Sequence, residues 1–307
     1  MAYPIVSIII NNYNYGRFLG RAIDSALNQT YPYCEIIVVD DGSTDNSRDI
    51  IRNYTDDIIP VFKENHGQAS AFNAGYAVSK GDIICFLDSD DNFLPQKVEK
   101  IVEIFKANKD IGWCFHSLML VDSNKKELMK SDRNLSSCIW DFRLQIRRGN
   151  LPFIPSATSA LCFRRDILKT ILPMPEAIRI TSDNYLKFIA SALSKGFFLD
   201  EALTIQNIHE NNALTLNDKQ IYLKARILIL TAYCIKSEFS FLSKFSDKLL
   251  ITGNGIYWCI RKVDPESKEF VKKYFSSLGI FIRLIFRLRT FCFFFKNFAK
   301  IRSYANV

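Results

Sequence analysis

The sequence predicts an α/β fold, with a mostly parallel central sheet flanked by helices and a C-terminal helical region. The first observation is that short, β-branched apolar runs alternate with helical periodicity through residues 6–95, as in strand–helix units of a parallel sheet. The second is that the strand-like runs at residues 35–39 and 83–87 both end abruptly in aspartates. The third is the helical spacing of apolar residues after Asp218.

Apolar periodicity and breaker residues give the order of the elements. Strands are predicted at residues 6–10, 35–39, 59–62 and 83–87, and helices at 18–29, 46–54, 67–79 and 95–107. Beyond these, residues 111–120 predict one or two strands, 122–134 a charged loop, and 136–150 a short helix. A small-residue segment at 153–165 turns into a strand, a helix starts near Asp183, and a turn and strand follow at 196–203.

Composition excludes several classes of protein. Of 307 residues, 48% are hydrophobic and 23% charged, which supports a sizeable core and excludes a disordered chain. The eight cysteines form no Cys-x-x-Cys pair, which favours reduced thiols and a cytoplasmic location. No signal peptide and no charge-free stretch of about twenty apolar residues is apparent, so no membrane span is predicted. The net charge of +8 comes largely from an apolar tail, which argues against nucleic acid as a partner.

Asp88, Asp90 and Asp91 follow a predicted buried strand. The carboxyl ends of parallel strands form the edge where open α/β sheets bind ligands. Crowded carboxylates repel one another, and a manganese or magnesium ion that also binds diphosphate oxygens would neutralise them. A solvated acidic loop is the alternative for an isolated Asp-x-Asp. Asp40 and Asp41 end another strand, so the same edge could hydrogen-bond the base and ribose of a nucleotide.

Several motifs together resemble the family 2 glycosyltransferases. They are VSIIINNYN at 6–14, SALNQT at 25–30, VVDDGSTD at 38–45, NAG at 73–75, KGD at 80–82 and LDSDD at 87–91. The resemblance covers roughly residues 4–95. It implies a GT-A type nucleotide-diphospho-sugar transferase fold. It also implies inverting transfer of a sugar from a nucleoside diphosphate donor, usually with manganese or magnesium.

The resemblance assigns nucleotide-binding roles to three residues. Tyr13 matches the aromatic residue that stacks on the nucleobase, and Asp41 matches the carboxylate that accepts a hydrogen bond from the base. Asn11 stands where the family usually has proline or threonine, with its backbone near the base. Phe72 departs from the pattern, because the family often has arginine before Asn73.

The resemblance also assigns the metal ligands and the general base. Asp88 and Asp90 match the metal motif, with Asp90 the expected direct ligand and Asp88 nearer the ribose; Asp91 is a third candidate. His209 matches a histidine near the donor diphosphate. Asp183 matches the general base at a helix start, where Ser182 replaces the usual glutamate. A helix N-terminus favours an ionised carboxylate, but the same position also suits an ordinary helix-start aspartate.

The predicted organisation is a glycosyltransferase domain over residues 1–215, with a donor half at about 1–95 and an acceptor half at about 96–215. Residues 216–307 form a helical region with a basic amphipathic tail. The predicted partners are a nucleotide sugar, taken as a UDP-sugar by family habit, and a carbohydrate or lipid-linked carbohydrate acceptor used in bacterial surface polysaccharide or glycolipid assembly. A non-catalytic nucleotide-sugar or glycan binding protein with the same fold is the alternative.

The tail at residues 278–301 mixes isoleucine, leucine and phenylalanine with basic side chains. Such a helix is typical of contact with an anionic membrane surface, here the inner face of the plasma membrane. A helix packed on the protein body, or one that forms an oligomer contact, fits the pattern equally well.

Overall fold

The computed structural model describes residues 3–122, 124, 126–131, 135–154, 157–210, 212, 220–261, 263–276 and 278–305. They form two compact units. One comprises Met1–Arg143 and Phe153–His209, and the other Leu144–Pro152 and Glu210–Val307. The domain boundary expected near residue 215 lies outside the described residues, as do Pro155 and Ser156 of the small-residue segment.

The first unit contains a sheet of ten strands in the described chain. They are β1 Val6–Asn12, β2 Cys34–Asp41, β3 Ile59–Lys63, β4 Ile83–Asp88, β5 Asn92–Phe93, β6 Trp113–Val121, β7 Glu127–Lys130, β8 Cys138–Trp140, β9 Leu161–Arg164 and β10 Gly196–Asn207. Their order is β3-β2-β1-β4-β9-β6-β10-β5, with β7 beside β6 and β8 beside β10.

The helices follow the strands closely in the first half of the chain. They are α1 Gly16–Leu27, α2 Ser47–Arg52, α3 Gln68–Val78, α4 Lys97–Ala107, α5 Arg143–Arg147, α6 Arg165–Ile171, α7 Asp183–Leu193, α8 Ile221–Glu238, α9 Ser243–Ile260, α10 Pro265–Ser276 and α11 Ile280–Ala305. None of the described helices is long and apolar enough to cross a bilayer.

Strand β1 shows why this half of the sequence folds as a layered sheet. Its residues alternate between the two faces, so Ile8 and Ile10 join a buried core with Ile23 of α1. Ile9 points to the opposite face, where α3 packs so closely that a Cβ on Gly75 would lie 2.5 Å from it. The NAG motif therefore keeps α3 tight against the sheet.

The sheet is parallel where strands and helices alternate and mixed beyond. The pairs β1–β2, β1–β4, β2–β3 and β6–β10 are parallel, whereas β9 runs antiparallel between β4 and β6. The predicted α/β sheet with flanking helices and a C-terminal helical region is confirmed. The loop prediction for residues 122–134 is wrong at β7, and the predicted helix at 136–150 is only α5, preceded by β8.

The second unit is helical. Helices α8 and α9 pack against each other, and α11 lies along α9. Tyr257 of α9 is anchored by the carboxylate of Asp264, to which its hydroxyl donates a hydrogen bond of 2.6 Å.

Candidate active site

Three neighbouring strand ends create an acidic edge in the sheet. In the sheet, Asn11 of β1 lies beside Asp88 of β4, and Asn12 of β1 lies beside Asp40 of β2. The chain turns immediately after Asp88, whose carbonyl accepts a 3.0 Å hydrogen bond from the amide of Asp91. Carboxylate oxygens of Asp88, Asp90 and Asp91 consequently lie within 4.8 Å of one another.

The three carboxylates have different partners. Asp88 accepts hydrogen bonds from the side-chain amides of Asn11 at 3.0 Å and Gln68 at 3.2 Å. Asp90 faces the Nε2 atom of His209 at 2.9 Å. Asp91 is 1% exposed and accepts hydrogen bonds from the Ser159 hydroxyl at 2.6 Å and from the backbone amide of Asn207 at 3.2 Å.

Burial, together with the crowding of like charges, raises the pKa values of two carboxylates in this cluster. Burial, followed by the charge of Asp90, raises the pKa of Asp88 from 3.8 to about 7. Burial and the charges of Asp90 and Asp88 also raise the pKa of Asp91 well above its usual range. The protein fold thus holds negative charges together at a cost, as expected where a bound cation would offset the repulsion.

His209 belongs to the same site. It follows β10, and its ring stacks on Phe18 with a centroid separation of 5.0 Å and lies 5.7 Å from the ring of Tyr15. Burial, with the charges of Asp90 and Asp88, raises the pKa of the Tyr15 hydroxyl to about 12. The loop after β1 and the end of β10 therefore meet at the acidic cluster.

Asp41 lies at the end of β2 and is 3% exposed. It accepts hydrogen bonds from the amides of Gly67 at 2.7 Å and His66 at 3.1 Å, and it pairs with the Lys63 ammonium group. Gly67 has φ = +92°, and a Cβ there would lie 2.7 Å from the Arg179 backbone. Asp41 therefore fixes the loop that leads into α3.

Tyr13 is 45% exposed in the loop after β1. The next residue, Asn14, has a positive φ of 58° and accepts a 2.8 Å hydrogen bond from the Thr44 amide. Its own amide donates to the hydroxyl of Ser43 at 2.9 Å. The loops after β1 and β2 are thereby locked together, and the Tyr13 ring remains accessible to a ligand.

Asp183 begins α7, as its sequence position predicts, and is 5% exposed. Its carboxylate forms a 2.9 Å ion pair with Lys187, one helical turn later. The charge of Asp183 contributes to the raised pKa of Asp88, which places the two carboxylates in the same electrostatic environment. Ser182 is the N-cap residue, but its hydroxyl donates to the Ile178 carbonyl at 2.9 Å instead of capping α7.

Comparison with known proteins identifies this arrangement. The model of Glycosyl transferase family 2 matches residues 7–172, more than half of the chain. The chain belongs to the family 2 glycosyltransferases. An uncharacterized glycosyltransferase of Nostoc sp. is 40% identical over 219 residues, which is 67% of this chain and 66% of that protein. One from Rickettsia typhi is 35% identical over 215 residues, covering 67% and 65% respectively. The chain thus spans about two thirds of the length of these curated relatives.

The GT-A fold of the family is shared with solved structures. TarS residues 1–349 of S. aureus, in complex with UDP-GlcNAc, superimposes with a TM-score of 0.65 at 16% identity, covering 97% of this chain and 90% of that 1–349 chain. The Pyrobaculum calidifontis mannosyltransferase PcManGT, in complex with GDP-Man and Mn²⁺, gives 0.54 at 14% identity, covering 97% and 88%. At such identities these likenesses show the fold alone.

For a family 2 glycosyltransferase, the structure gathers most of the sequence-predicted residues at one sheet edge. Asn11, Asp88, Asp90 and Asp91 lie in the acidic cluster with His209, while Tyr13 and Asp41 lie in the neighbouring loops. Phe72, at the position where the family often has arginine, is fully buried and packs on Phe86 with a centroid separation of 4.5 Å.

Sequence reasoning missed four residues that shape the site. They are Tyr15, Gln68, Ser159 and Asn207. Tyr15 and Gln68 stand inside the matching motif region, so their positions beside Tyr13 and Gly67 were the available signal. Ser159 and Asn207 reach Asp91 across 68 and 116 residues of sequence, a separation that no local pattern reports.

Proposed function

We propose that the chain is an inverting glycosyltransferase that moves a sugar from a nucleoside diphosphate sugar to an acceptor hydroxyl. The observation that carries the proposal is the cluster of Asp88, Asp90 and Asp91 beside His209, at the sheet edge of a family 2 chain. A UDP-sugar is the proposed donor. TarS in complex with UDP-GlcNAc supports it, while PcManGT in complex with GDP-Man supports only the broader class of nucleotide sugars.

The side chains of the acidic cluster and His209 are suitable ligands for a divalent metal ion. Carboxylate oxygens are the ligands that magnesium and manganese prefer, and an imidazole also suits manganese. In addition, the buried Oδ1 atom of Asn11 has no hydrogen-bond partner among the described residues. We assign Asp90 and Asp88 as the metal-holding pair, because Asp91 is bound to Ser159 and Asn207. The ion would supply charge neutralisation for the leaving diphosphate.

The protein residues perform the remaining chemistry. Tyr13 stacks on the base, and the loop fixed by Asp41 lies at the base edge. The acceptor oxygen attacks the anomeric carbon as the bond from that carbon to the phosphate oxygen breaks. Asp183 takes the acceptor proton, and the nucleoside diphosphate leaves with the bonding electron pair. Attack opposite to the leaving group inverts the anomeric configuration.

The proposed pathway is assembly of a bacterial surface polysaccharide on a carbohydrate or lipid-linked carbohydrate acceptor. Bacillus subtilis TuaG, whose name assigns it to teichuronic acid biosynthesis, is 38% identical over 125 residues, or 39% of this chain and 49% of TuaG. This partial match supports the class of pathway.

A non-catalytic nucleotide-sugar binding protein is the second candidate. It is favoured by one observation, the ion pair that occupies the 5% exposed carboxylate of Asp183. In this alternative, Asp183 stabilises the start of α7, and the acidic edge binds a nucleotide sugar without turnover.

Calorimetric titration of UDP with manganese tests the donor site. Asp90→Asn should abolish manganese-dependent UDP binding, because it removes a charge from the carboxylate pair assigned to the ion. Asp49→Asn is the matched control, since Asp49 lies on α2 with a 77% exposed side chain paired to Arg52. Manganese-dependent affinity that is unchanged in Asp90→Asn would remove Asp90 from the ligand set.

A further inference from the structure

Helix α11 presents an apolar stripe to solvent. Phe281, Leu284, Leu288, Phe291 and Phe295 recur at spacings of three and four residues, which places them on one side of the helix. Each is between 50% and 82% exposed, with Phe291 at the lower value and Phe281 at the upper. A continuous exposed apolar face of this kind marks an interaction site on a protein surface.

Packing on the opposite side fixes the direction of this stripe. Phe286, Thr290 and Ile301 are buried, with exposures of 3%, 1% and 7%. Phe293 fits against Gly255 of α9, where an added Cβ would lie 2.3 Å from its ring. If α11 rotated so that the stripe faced inward, these contacts would be lost. The packing of α11 therefore stabilises the exposed orientation of the stripe.

Basic side chains border the stripe on both sides. Arg287 and Arg289 flank Leu288, and Lys296 lies two turns beyond Arg289 on the same flank; all three are exposed. The sequence has no aspartate or glutamate between residues 280 and 305. Arg283 is used differently, because its guanidinium group donates to the carbonyls of Leu278 and Ser276 at the helix start.

We propose that this face of α11 docks on an anionic phospholipid surface, with the helix lying in the plane of the interface. The apolar stripe would enter the headgroup–acyl boundary, and the flanking basic side chains would pair with lipid phosphates. A second copy of the chain is a poorer occupant, because a symmetric contact through this face would oppose arginines with no acid on the helix to balance them.

Flotation of the full chain with lipid vesicles tests the proposal, without any donor or acceptor present. The protein should float at low salt with vesicles of phosphatidylglycerol and phosphatidylcholine, and much less with phosphatidylcholine alone or at high salt. Leu288→Glu should weaken binding about ten-fold or more, because it places a negative charge in the stripe. The double variant Arg287→Gln/Arg289→Gln should weaken binding by a similar factor on anionic vesicles only.

Val78→Glu is the matched control. Val78 ends α3, is 39% exposed, and receives the same change from apolar to acidic. It should float like the natural chain, and circular dichroism should show that all variants keep their helices. Failure of the natural chain to float, or equal flotation of Leu288→Glu, would overturn the proposal. So would a stable dimer in solution that Leu288→Glu dissociates, since a second copy would then cover the face.

Discussion

The three carboxylates of Asp88, Asp90 and Asp91 are close in sequence but have different hydrogen-bond partners in the fold. Asp91 is committed to Ser159 and Asn207, which tie the turn after β4 to the 3₁₀ turn Thr158–Ala160 and to β10. The carboxylate of Asp90 contacts the imidazole of His209, and that of Asp88 accepts hydrogen bonds from two side-chain amides. We therefore expect Asp91 substitutions to act mainly through stability, and Asp90 substitutions through ligand binding.

The raised pKa of Asp88 predicts how manganese binding depends on pH. Without a cation, a folded-state pKa of about 7 against an ordinary value of 3.8 means that the folded protein holds a proton that the unfolded chain releases. The stability contributed by this group is complete below pH 3.8 and is lost as pH rises through about 7. Manganese competes with that proton, so the rise in melting temperature that it causes should be larger at pH 8 than at pH 6.

Melting curves with manganese or with a chelator, recorded across this pH range, measure the effect. Asp90→Asn should remove most of the manganese response at every pH. A manganese-induced shift that is equal at both ends of the range, or larger at the acidic end, would contradict the assignment of Asp88 to the metal site.

At the scale of elements, Gln68 connects three parts of the first unit. It is the first residue of α3, and its amide nitrogen donates to Asp88 at the end of β4. Its amide oxygen accepts a 2.8 Å hydrogen bond from the amide of Ser182, the N-cap residue of α7. One side chain thus links the start of the helix that carries Asp183 to the acidic cluster.

Replacing Gln68 with methionine should affect the reaction through these two contacts. The change preserves length but removes a donor to a charged carboxylate and an acceptor for a backbone amide, at a cost of roughly 1–3 kcal/mol in the free energy of unfolding. We expect turnover to fall about ten-fold or more as Asp183 loses its support. Because ionised Asp88 loses a hydrogen bond, its pKa should rise. The pH at which the manganese-induced rise in melting temperature is half-maximal should therefore move upward.

A pH titration of the manganese-induced melting shift separates this role from general destabilisation. Gln96→Met provides the control, since Gln96 is the N-cap residue of α4 and makes no side-chain capping bond. If Gln68→Met lowers stability without moving the pH midpoint or slowing turnover, Gln68 is only a packing residue.

Elements in the first half of the chain were predictable because each carries its own apolar signal. Strands β1, β2 and β4 are buried almost throughout, and α1 buries one regular face. Strands β7 and β8 were not predictable, because their residues are mostly exposed and show no apolar face. Their pairing to β6 and β10 rests on backbone hydrogen bonds, which any sequence can supply.

The same distinction applies to the site. The positions of Asp88, Asp90 and Asp41 could be predicted because they lie at or just beyond the ends of apolar strands, and family motifs marked Tyr13 and His209. The bridge made by Gln68 could not be predicted, because the partner on α7 lies 114 residues away. Such contacts depend on how β4, α3 and α7 come together, which sequence periodicity does not encode.

At the scale of the whole molecule, the proposed donor edge and the proposed general base lie on different parts of the first unit. Donor binding is assigned to Tyr13, the Asp41 loop and the acidic cluster. Proton removal is assigned to Asp183 alone. This division predicts that one substitution can stop the chemistry while leaving donor binding intact.

The most direct test is to measure UDP release from UDP-sugars with manganese, together with the donor dissociation constant, in the natural chain and in Asp183→Asn. The amide keeps the size and an acceptor for Lys187 but cannot take a proton, so turnover should fall by about 10²–10⁴ with little change in donor affinity. Asp166→Asn is the matched control, because Asp166 lies in the first turn of α6 beside Lys169 with an 88% exposed side chain. Its turnover should be unchanged.

An Asp183→Asn protein that keeps at least half of the natural turnover would contradict the assignment of Asp183 as the general base. A natural chain that binds UDP-sugars but releases no UDP would favour the non-catalytic binding protein.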